Sequence, residues 1–186
     1  AADLNGDGDI DVLSASTNNG MIAWYENDGN GAFSPQNIIT TDASGAKSVY
    51  SADIDGDGDM DVLSGSSSDQ KVAWYENDGS GGFGQQNTIT TDADGANSVY
   101  AADIDGDDDM DILSASYDDD KIAWYENDGN ENFSENIIST NADHANTVYV
   151  TDVDGDGDMD VLSASSSDSK IAWYENDGIG NFISYI

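Results

Sequence analysis

The segment Ile22-Ala-Trp-Tyr-Glu-Asn-Asp-Gly29 returns as Val72 to Gly79, Ile122 to Gly129 and Ile171 to Gly178, placing Trp24, Trp74, Trp124 and Trp173 at spacings of 50, 50 and 49. Near-identical units of this size cannot bury a core singly, so each must cover its faces against its neighbours. The one missing residue lies between Phe133 and Tyr149, since the intervals from Phe33 to Tyr50 and from Phe83 to Tyr100 are one residue longer. A deletion of that kind is best tolerated in a loop or an outer strand. The units divide as 1–46, 47–96, 97–145 and 146–186.

Within one unit, β-branched and aromatic residues gather in four short runs separated by Asp, Gly, Asn and Ser. In the second copy these runs are Ser48 to Ala52, Asp61 to Ser66, Lys71 to Glu76 and a weaker Phe83 to Thr90. Asn77-Asp78-Gly79 is a hairpin signal, because these residues tolerate the positive φ of tight turns. Pro35, the sole proline, falls in the first copy's fourth run, where an edge strand tolerates it. The expected class is therefore all-β, with four tandem four-stranded antiparallel repeats of about 50 residues forming β-propeller blades. Small or apolar residues on both faces of the second strand, such as Val62 and Ser64 against Leu63 and Gly65, fit sheets sandwiched between blades. A β-solenoid is the competing architecture, though its coils are usually shorter.

Between the first and second strands of each unit lies a nine-residue acidic loop. The second copy reads Asp53-Ile-Asp55-Gly-Asp57-Gly-Asp59-Met-Asp61. The others place Asp3, Asn5, Asp7, Asp9 and Asp11, then Asp103, Asp105, Asp107, Asp109 and Asp111, then Asp152, Asp154, Asp156, Asp158 and Asp160 at the same positions. Carboxylates at loop positions 1, 3, 5 and 9, with a backbone carbonyl at 7, can wrap a hard cation that takes six to eight oxygens, and a glycine at position 6 allows the bend. About one Ca2+ per repeat is expected. Magnesium fits less well because it holds its waters in octahedral geometry, and zinc lacks His and Cys ligands. Asn5 offers a neutral oxygen that weakens the first site, and Asp108 stands where the other copies have the position-6 glycine. Solvated Asp-Gly turns are the plainer reading. Against it stands the repulsion among five acidic positions crowded into nine, four times in register.

With this loop at this spacing between first and second strands, the chain resembles the calcium-binding FG-GAP and VCBS-type repeats that build integrin-α-like β-propellers in extracellular proteins. The resemblance implies that the side chains at positions 1, 3, 5 and 9 and the carbonyl at 7 hold the ion. The Phe-Gly pair survives only at Phe83-Gly84 and the Gly-Ala-Pro part is absent, so the pattern is nearer the bacterial type than an integrin subunit. EF-hands would need flanking helices, and thrombospondin-type repeats would bring cysteines.

Composition narrows the partners. Asp and Glu number 39 against four Lys and no Arg, a formal charge of −35. Such a field repels nucleic acid and anionic membrane surfaces and favours divalent cations. Four calcium ions would carry eight positive charges and bring the total to about −27. No apolar run approaches the roughly 18 to 20 residues of a membrane helix. There is no Cys and one His, and near-identical copies offer no asymmetric catalytic constellation, so a non-enzyme is expected.

The expected role is a calcium-stabilised extracellular scaffold, adhesion or assembly module. Its partners would be calcium, other copies of itself or the rest of a longer chain, and glycans or extracellular proteins. A lectin-like propeller is the rival, and an accessory propeller of a polysaccharide-degrading enzyme the third possibility. The first unit lacks the Ser-Val-Tyr half-strand found at 48–50 and the last stops within its fourth strand, so a larger propeller, array or assembly of copies is expected. The Trp-Tyr pairs are read as inter-blade packing and not as sugar platforms. Lys71, Lys121 and Lys170 are read as solvated strand starts near an Asp, His144 as incidental, and Asn132-Phe-Ser134 as a glycosylation sequon usable only in a secretory pathway.

Overall fold

Each repeat folds as one antiparallel meander in the computed structural model, which describes residues 1–185. Blade 1 holds β1 (Val12–Ser16), β2 (Met21–Tyr25) and β3 (Asn37–Thr40); blade 2 holds β4 (Ala46–Ala52), β5 (Asp61–Ser66), β6 (Lys71–Tyr75) and β7 (Asn87–Thr90). Blade 3 holds β8 (Ala96–Ala102), β9 (Asp111–Ser116), β10 (Lys121–Asn127) and β11 (Phe133–Ser139); blade 4 holds β12 (Ala145–Thr151), β13 (Asp160–Ser165), β14 (Lys170–Asn176) and β15 (Phe182–Tyr185). Blade 1 is three-stranded, and an isolated bridge between Ala2 and Asp11 stands where the other blades have their first strand. No helix long and apolar enough to cross a membrane occurs among the described residues.

The first strands of successive blades lie side by side and the fourth strands form the periphery. Ser48 Oγ accepts from Val99 N at 3.2 Å, and Ser98 Oγ accepts from Val148 N at 3.3 Å, so each first strand is tied to the next. Tyr50, Tyr100 and Tyr149 continue the row, with ring centroids 4.6 and 5.4 Å apart. The core lies between sheets. Trp24 meets Tyr75 in one cluster, Trp74 meets Tyr125 in the next, and Trp124 meets Tyr174 in the third. Each Trp therefore leaves its blade on the face toward the following blade, and each Tyr on the face toward the preceding one. The Trp-Tyr pairs are packing residues, and β5 and β9 are buried along their whole length.

The missing residue falls in the outermost strand. Five residues run from Phe83 to Asn87, the partner of Trp74, but four from Phe133 to Asn136, the partner of Trp124. With the surplus residue absent, β11 pairs without a break from Asn127↔Phe133 to Trp124↔Asn136. In blade 2 the extra residue, beside Gly82 and Gly84, leaves only an isolated bridge between Asn77 and Phe83 before β7 begins. The expected run from Phe83 to Thr90 is thus shortened to Asn87–Thr90, and the first strand begins two residues early, at Ala46.

Two readings of single residues change. Lys121 is buried, with Nζ donating to Asp92 O at 2.6 Å and to Glu135 at 2.8 Å, so it pins blade 3 to the loop leaving blade 2. His144 is not incidental. It stacks on Tyr117 at 4.2 Å and its Nδ1 meets Ser167 Oγ, joining blades 3 and 4 at the end away from the acidic loops.

Candidate metal centres

The acidic loops are wound by their own backbone amides. In blade 4, Asp152 Oδ1 accepts from Gly155 N at 2.6 Å and Oδ2 from Gly157 N at 3.1 Å, Asp154 Oδ1 accepts from Asp156 N at 3.2 Å, and Asp156 Oδ1 from Asp158 N at 3.0 Å. Each carboxylate at positions 1, 3 and 5 is thereby aimed by an N–H two to five residues ahead, an Asx-turn geometry that short Asp side chains favour. Backbone handedness does the rest. Position 4 is left-handed in every copy, at Gly6, Gly56, Gly106 and Gly155, and so is position 6, where Asp108 sits at φ 73° among Gly8, Gly58 and Gly157. Asp108 N still donates to Asp103 Oδ2 at 3.1 Å, so the third loop closes like the others.

These turns bring carboxylates together. One oxygen from each of Asp53, Asp55 and Asp57 lies within 4.8 Å of the other two, as do those of Asp103, Asp105 and Asp111 and those of Asp152, Asp154 and Asp160. Asp53 Oδ1 and Asp105 Oδ1 are buried with no hydrogen-bond partner among the described residues. A buried carboxylate oxygen without a donor is costly, and a cation between the three groups removes that cost. The donor set is oxygen alone, which fits a hard divalent ion. In the first loop, Asn5 Nδ2 donates to Asp7 Oδ2 at 3.1 Å while Asn5 Oδ1 accepts from Asp7 N, so an amide occupies the place of a third carboxylate.

The ninth residue does two things at once. Asp61 Oδ2 accepts from Ile54 N at 2.9 Å and Oδ1 from Asn77 N at 2.8 Å, with the side chain wholly buried, and Asp11, Asp111 and Asp160 repeat the pattern. Burial pushes the carboxyls of Asp61 and Asp111 up to about 7, against those amide bonds. Desolvation also raises Asp55, Asp105 and Asp154, and the nearby charges of Asp57 and Glu76, Asp107 and Glu126, and Asp156 and Glu175 add to it. Glu76, Glu126 and Glu175, which follow the Trp-Tyr pairs of blades 2, 3 and 4, thus act on the loops, a role their strand-end position did not announce.

The seventh side chains turn elsewhere. A Cβ placed on Gly29, Gly79, Gly129 or Gly178 would fall 2.3, 2.3, 2.5 or 2.6 Å from a carboxylate oxygen of Asp9, Asp59, Asp109 or Asp158. Those four carboxylates buttress the Asn-Asp-Gly turn, which leaves position 7 only its backbone carbonyl to offer an ion.

The Asn of that turn is a second residue whose role was missed. Asn127 Nδ2 donates to Met110 O of its own loop at 3.3 Å and to Ile54 O of the preceding loop at 3.2 Å; Asn77 and Asn176 do the same toward Leu4 and Ile104. Adjacent acidic loops are therefore latched together through buried amides.

With this geometry in view, residues 3–64, 53–114, 103–163 and 152–186 each match the FG-GAP-like repeat. The chain belongs to the FG-GAP-like repeat family. The overlap of successive matches reflects a unit that runs from one acidic loop through the next, the pair that the buried Asn latches. No curated protein matches this FG-GAP-like chain. Among solved structures it is similar to an Agrocybe aegerita lectin, in a structure concerned with recognition of non-reducing terminal N-acetylglucosamine, with 22% identity, TM-score 0.68, 99% of this chain and 50% of the lectin covered. It is also similar to the Tc holotoxin pore of Photorhabdus luminescens, at 20% identity and TM-score 0.53 over 98% of this chain and 9% of that one. The V. cholerae biofilm matrix protein Bap1 gives 20% identity and TM-score 0.48, covering 98% of this chain and 37% of that one. The chain spans half the lectin's length, and the shared feature at this identity is the fold.

Proposed function

We propose that this FG-GAP-like chain is a non-catalytic extracellular module whose blades are stiffened by calcium in the acidic loops, serving as a scaffold for adhesion or assembly. The observation that carries the reading is the pair of buried, partnerless oxygens, Asp53 Oδ1 and Asp105 Oδ1, each set among clustered carboxylates. Ligands would come from Asp53, Asp55, Asp57 and Asp61 and the Asp59 carbonyl in blade 2, and from the matching residues of blades 3 and 4. The first loop, with Asn5, would bind most weakly. Cytosolic calcium is too scarce to fill modest oxygen sites, whereas extracellular fluid supplies it, which supports the location. Because a ligand bound only by the native state stabilises it by RT ln(1 + [L]/Kd), calcium should raise the melting temperature. Calorimetric titration of calcium-depleted protein is expected to show three comparable sites and one weaker. Absence of heat together with an unchanged melting temperature would overturn the reading.

A second reading rests on a cavity of about 470 Å³ between blades 3 and 4, lined by Tyr100, Ile104, Met110, Val150, Thr151 and Asp158 among others. Its mix of apolar walls and carboxylate and hydroxyl groups suits a saccharide, and the lectin neighbour shares the fold. Saturable, competable binding on a glycan array would establish this reading, and its loss in Thr151→Trp would place the sugar there.

A further inference from the structure

At the end of the blades away from the acidic loops, the first strands of blades 2, 3 and 4 each carry one extra residue. The pairing of β4 with β5 slips between Ala46 and Ser48, that of β8 with β9 between Ala96 and Ser98, and that of β12 with β13 between Ala145 and Thr147. The extra residues are Lys47, Asn97 and Asn146, and a bulge of this kind re-aims the side chain it carries. Because the first strands lie side by side, the three form a row across the blades. Asn97 Nδ2 donates to Asn146 O at 2.9 Å and to Asn146 Oδ1 at 3.2 Å, which leaves Asn97 Oδ1 as an acceptor.

The junction of blades 3 and 4 departs from the repeat beside this row. Tyr117 stands where the other blades have Thr17, Ser67 and Ser166, and His144 stands where blades 2 and 3 have Gly45 and Gly95. The small hydroxyls of the other copies donate to backbone carbonyls, Thr17 to Ala46 O, Ser67 to Gly45 O and Ser166 to His144 O. The backbone of His144 keeps the left-handed φ of the glycines, 55° against 75° and 71°, so an imidazole is held there against a steric cost. Contact is what holds it. The ring lies nearly parallel to that of Tyr117, at 13° and 4.2 Å, and its Nδ1 meets Ser167 Oγ. His144 thereby fixes the ring of Tyr117.

The row and the ring border a cavity of about 320 Å³, lined by Lys47, Ser67, Asn97, Tyr117, Asp118 and Asn146 among others. That is near the lower end of the ~300–1,000 Å³ of small-molecule sites, room for a single sugar ring. Two carboxamides, an ammonium, a carboxylate and two hydroxyls set donors and acceptors around one aromatic ring. A pyranose is the complement, since each of its hydroxyls both donates and accepts and its C–H face packs on an aromatic wall. An apolar ligand would strip water from these polar groups without repaying their hydrogen bonds. A multiply charged anion would meet Asp118 and a chain of charge −35 with one lysine to offset them.

We propose that this cavity is a monosaccharide site, with Tyr117 as its apolar wall, Asn97, Asn146 and Asp118 as its hydrogen-bonding groups, and His144 as a positioning residue behind the wall. Lys47 serves a neutral sugar as a donor and a uronic acid as a counter-charge. The proposal rests on the saccharide reading but places the sugar at the opposite end from the cavity of Tyr100 and Thr151.

The test is calorimetric titration of the purified chain with methyl glucoside, N-acetylglucosamine and galacturonic acid. Wild type is expected to bind at least one of them with millimolar affinity, and added salt should weaken the uronic acid alone. Tyr117→Ser restores the residue of blade 2 and Asn97→Ala removes one amide; each is expected to keep its circular dichroism and lose affinity about tenfold or more. His144→Gly removes the left-handed strain, so it is expected to melt no lower than wild type while binding about threefold more weakly, a combination that a purely structural histidine would not give. Thr151→Trp is expected to bind as wild type does. Affinity lost in Thr151→Trp and kept in Tyr117→Ser overturns this site and leaves the saccharide reading standing. No binding of any of the three probes also overturns the site, and a silent glycan array in addition removes the saccharide reading itself.

Discussion

The side-chain amide of Asn127 reaches back 73 positions to the carbonyl of Ile54, while its backbone N–H binds Asp111 Oδ1 at 2.8 Å. One buried residue therefore joins the acidic loop of its own blade, through Asp111 and Met110, to the acidic loop of the blade before.

Replacing Asn127 by Ala leaves Ile54 O and Met110 O without their donor, at a cost of about 1–3 kcal/mol. For a chain of this size that corresponds to a fall of roughly 3–10 °C in melting temperature. Asn27→Ala removes only the bond to Ile10 O and is expected to cost about 1 kcal/mol or less in the monomer. Thermal denaturation of the two variants checks the difference, and equal losses would show that the inter-blade bond contributes nothing.

Gly79 and Asp59 are coupled by contact. Gly79 sits at φ 72° with Asp59 Oδ2 2.3 Å from where a Cβ would lie, so Gly79→Ala meets both backbone strain and collision. The expected loss is about 1–3 kcal/mol. Asp59→Ala should keep the calcium stoichiometry of wild type, because its side chain points at the turn, and should recover part of the Gly79→Ala loss in the double variant. Additive losses, or a missing ion in Asp59→Ala, would contradict this placement.

The repeat, the strand order and the acidic loops were readable because each depends on local chemistry: Asp and Gly fix the loops, and alternating β-branched and aromatic residues fix the strands. Residues whose meaning lies across the blade contact were not. Asn77 looks like any hairpin Asn, and its burial follows only from Leu4 O being brought alongside by the preceding blade. Lys121 differs from Lys71 and Lys170 in its environment and not in its local sequence pattern. Gly6, Gly56, Gly106 and Gly155 do carry a sequence signal, since position 4 is glycine in all four copies whereas position 6 is glycine in three.

Asp108 is the one non-glycine at position 6, held at φ 73°. Its backbone N–H does the closing work, and glycine supplies the same N–H without steric cost in the left-handed region. Asp108→Gly is therefore expected to stabilise the protein by about 0.5–1 kcal/mol, in the direction that removing left-handed strain dictates. Chemical denaturation compared with wild type at equal calcium is the measurement, and a loss of stability would mean that the Asp108 carboxylate has a partner of its own.

The pH dependence should reverse sign with calcium. Burial holds the carboxyls of Asp61 and Asp111 near 7, above the ~3.9 of an unfolded Asp. The calcium-free native state therefore binds more protons than the unfolded chain between those values. Its stability from these groups is full below pH ~4 and is lost as pH rises through about 7. The exposed carboxyls that hydrogen bonds hold low, Asp28, Asp78, Asp128 and Asp177, act below that window and do not oppose the trend. Calcium needs the same carboxylates ionised, so its stabilising increment should grow from pH 5 to pH 7.5. Melting temperatures of calcium-depleted and calcium-saturated protein across that range decide the matter. A depleted protein that becomes more stable as pH rises, or a calcium increment equal at both ends, would show that the buried ninth carboxylates are neither protonated in the free loops nor ionised in the filled ones.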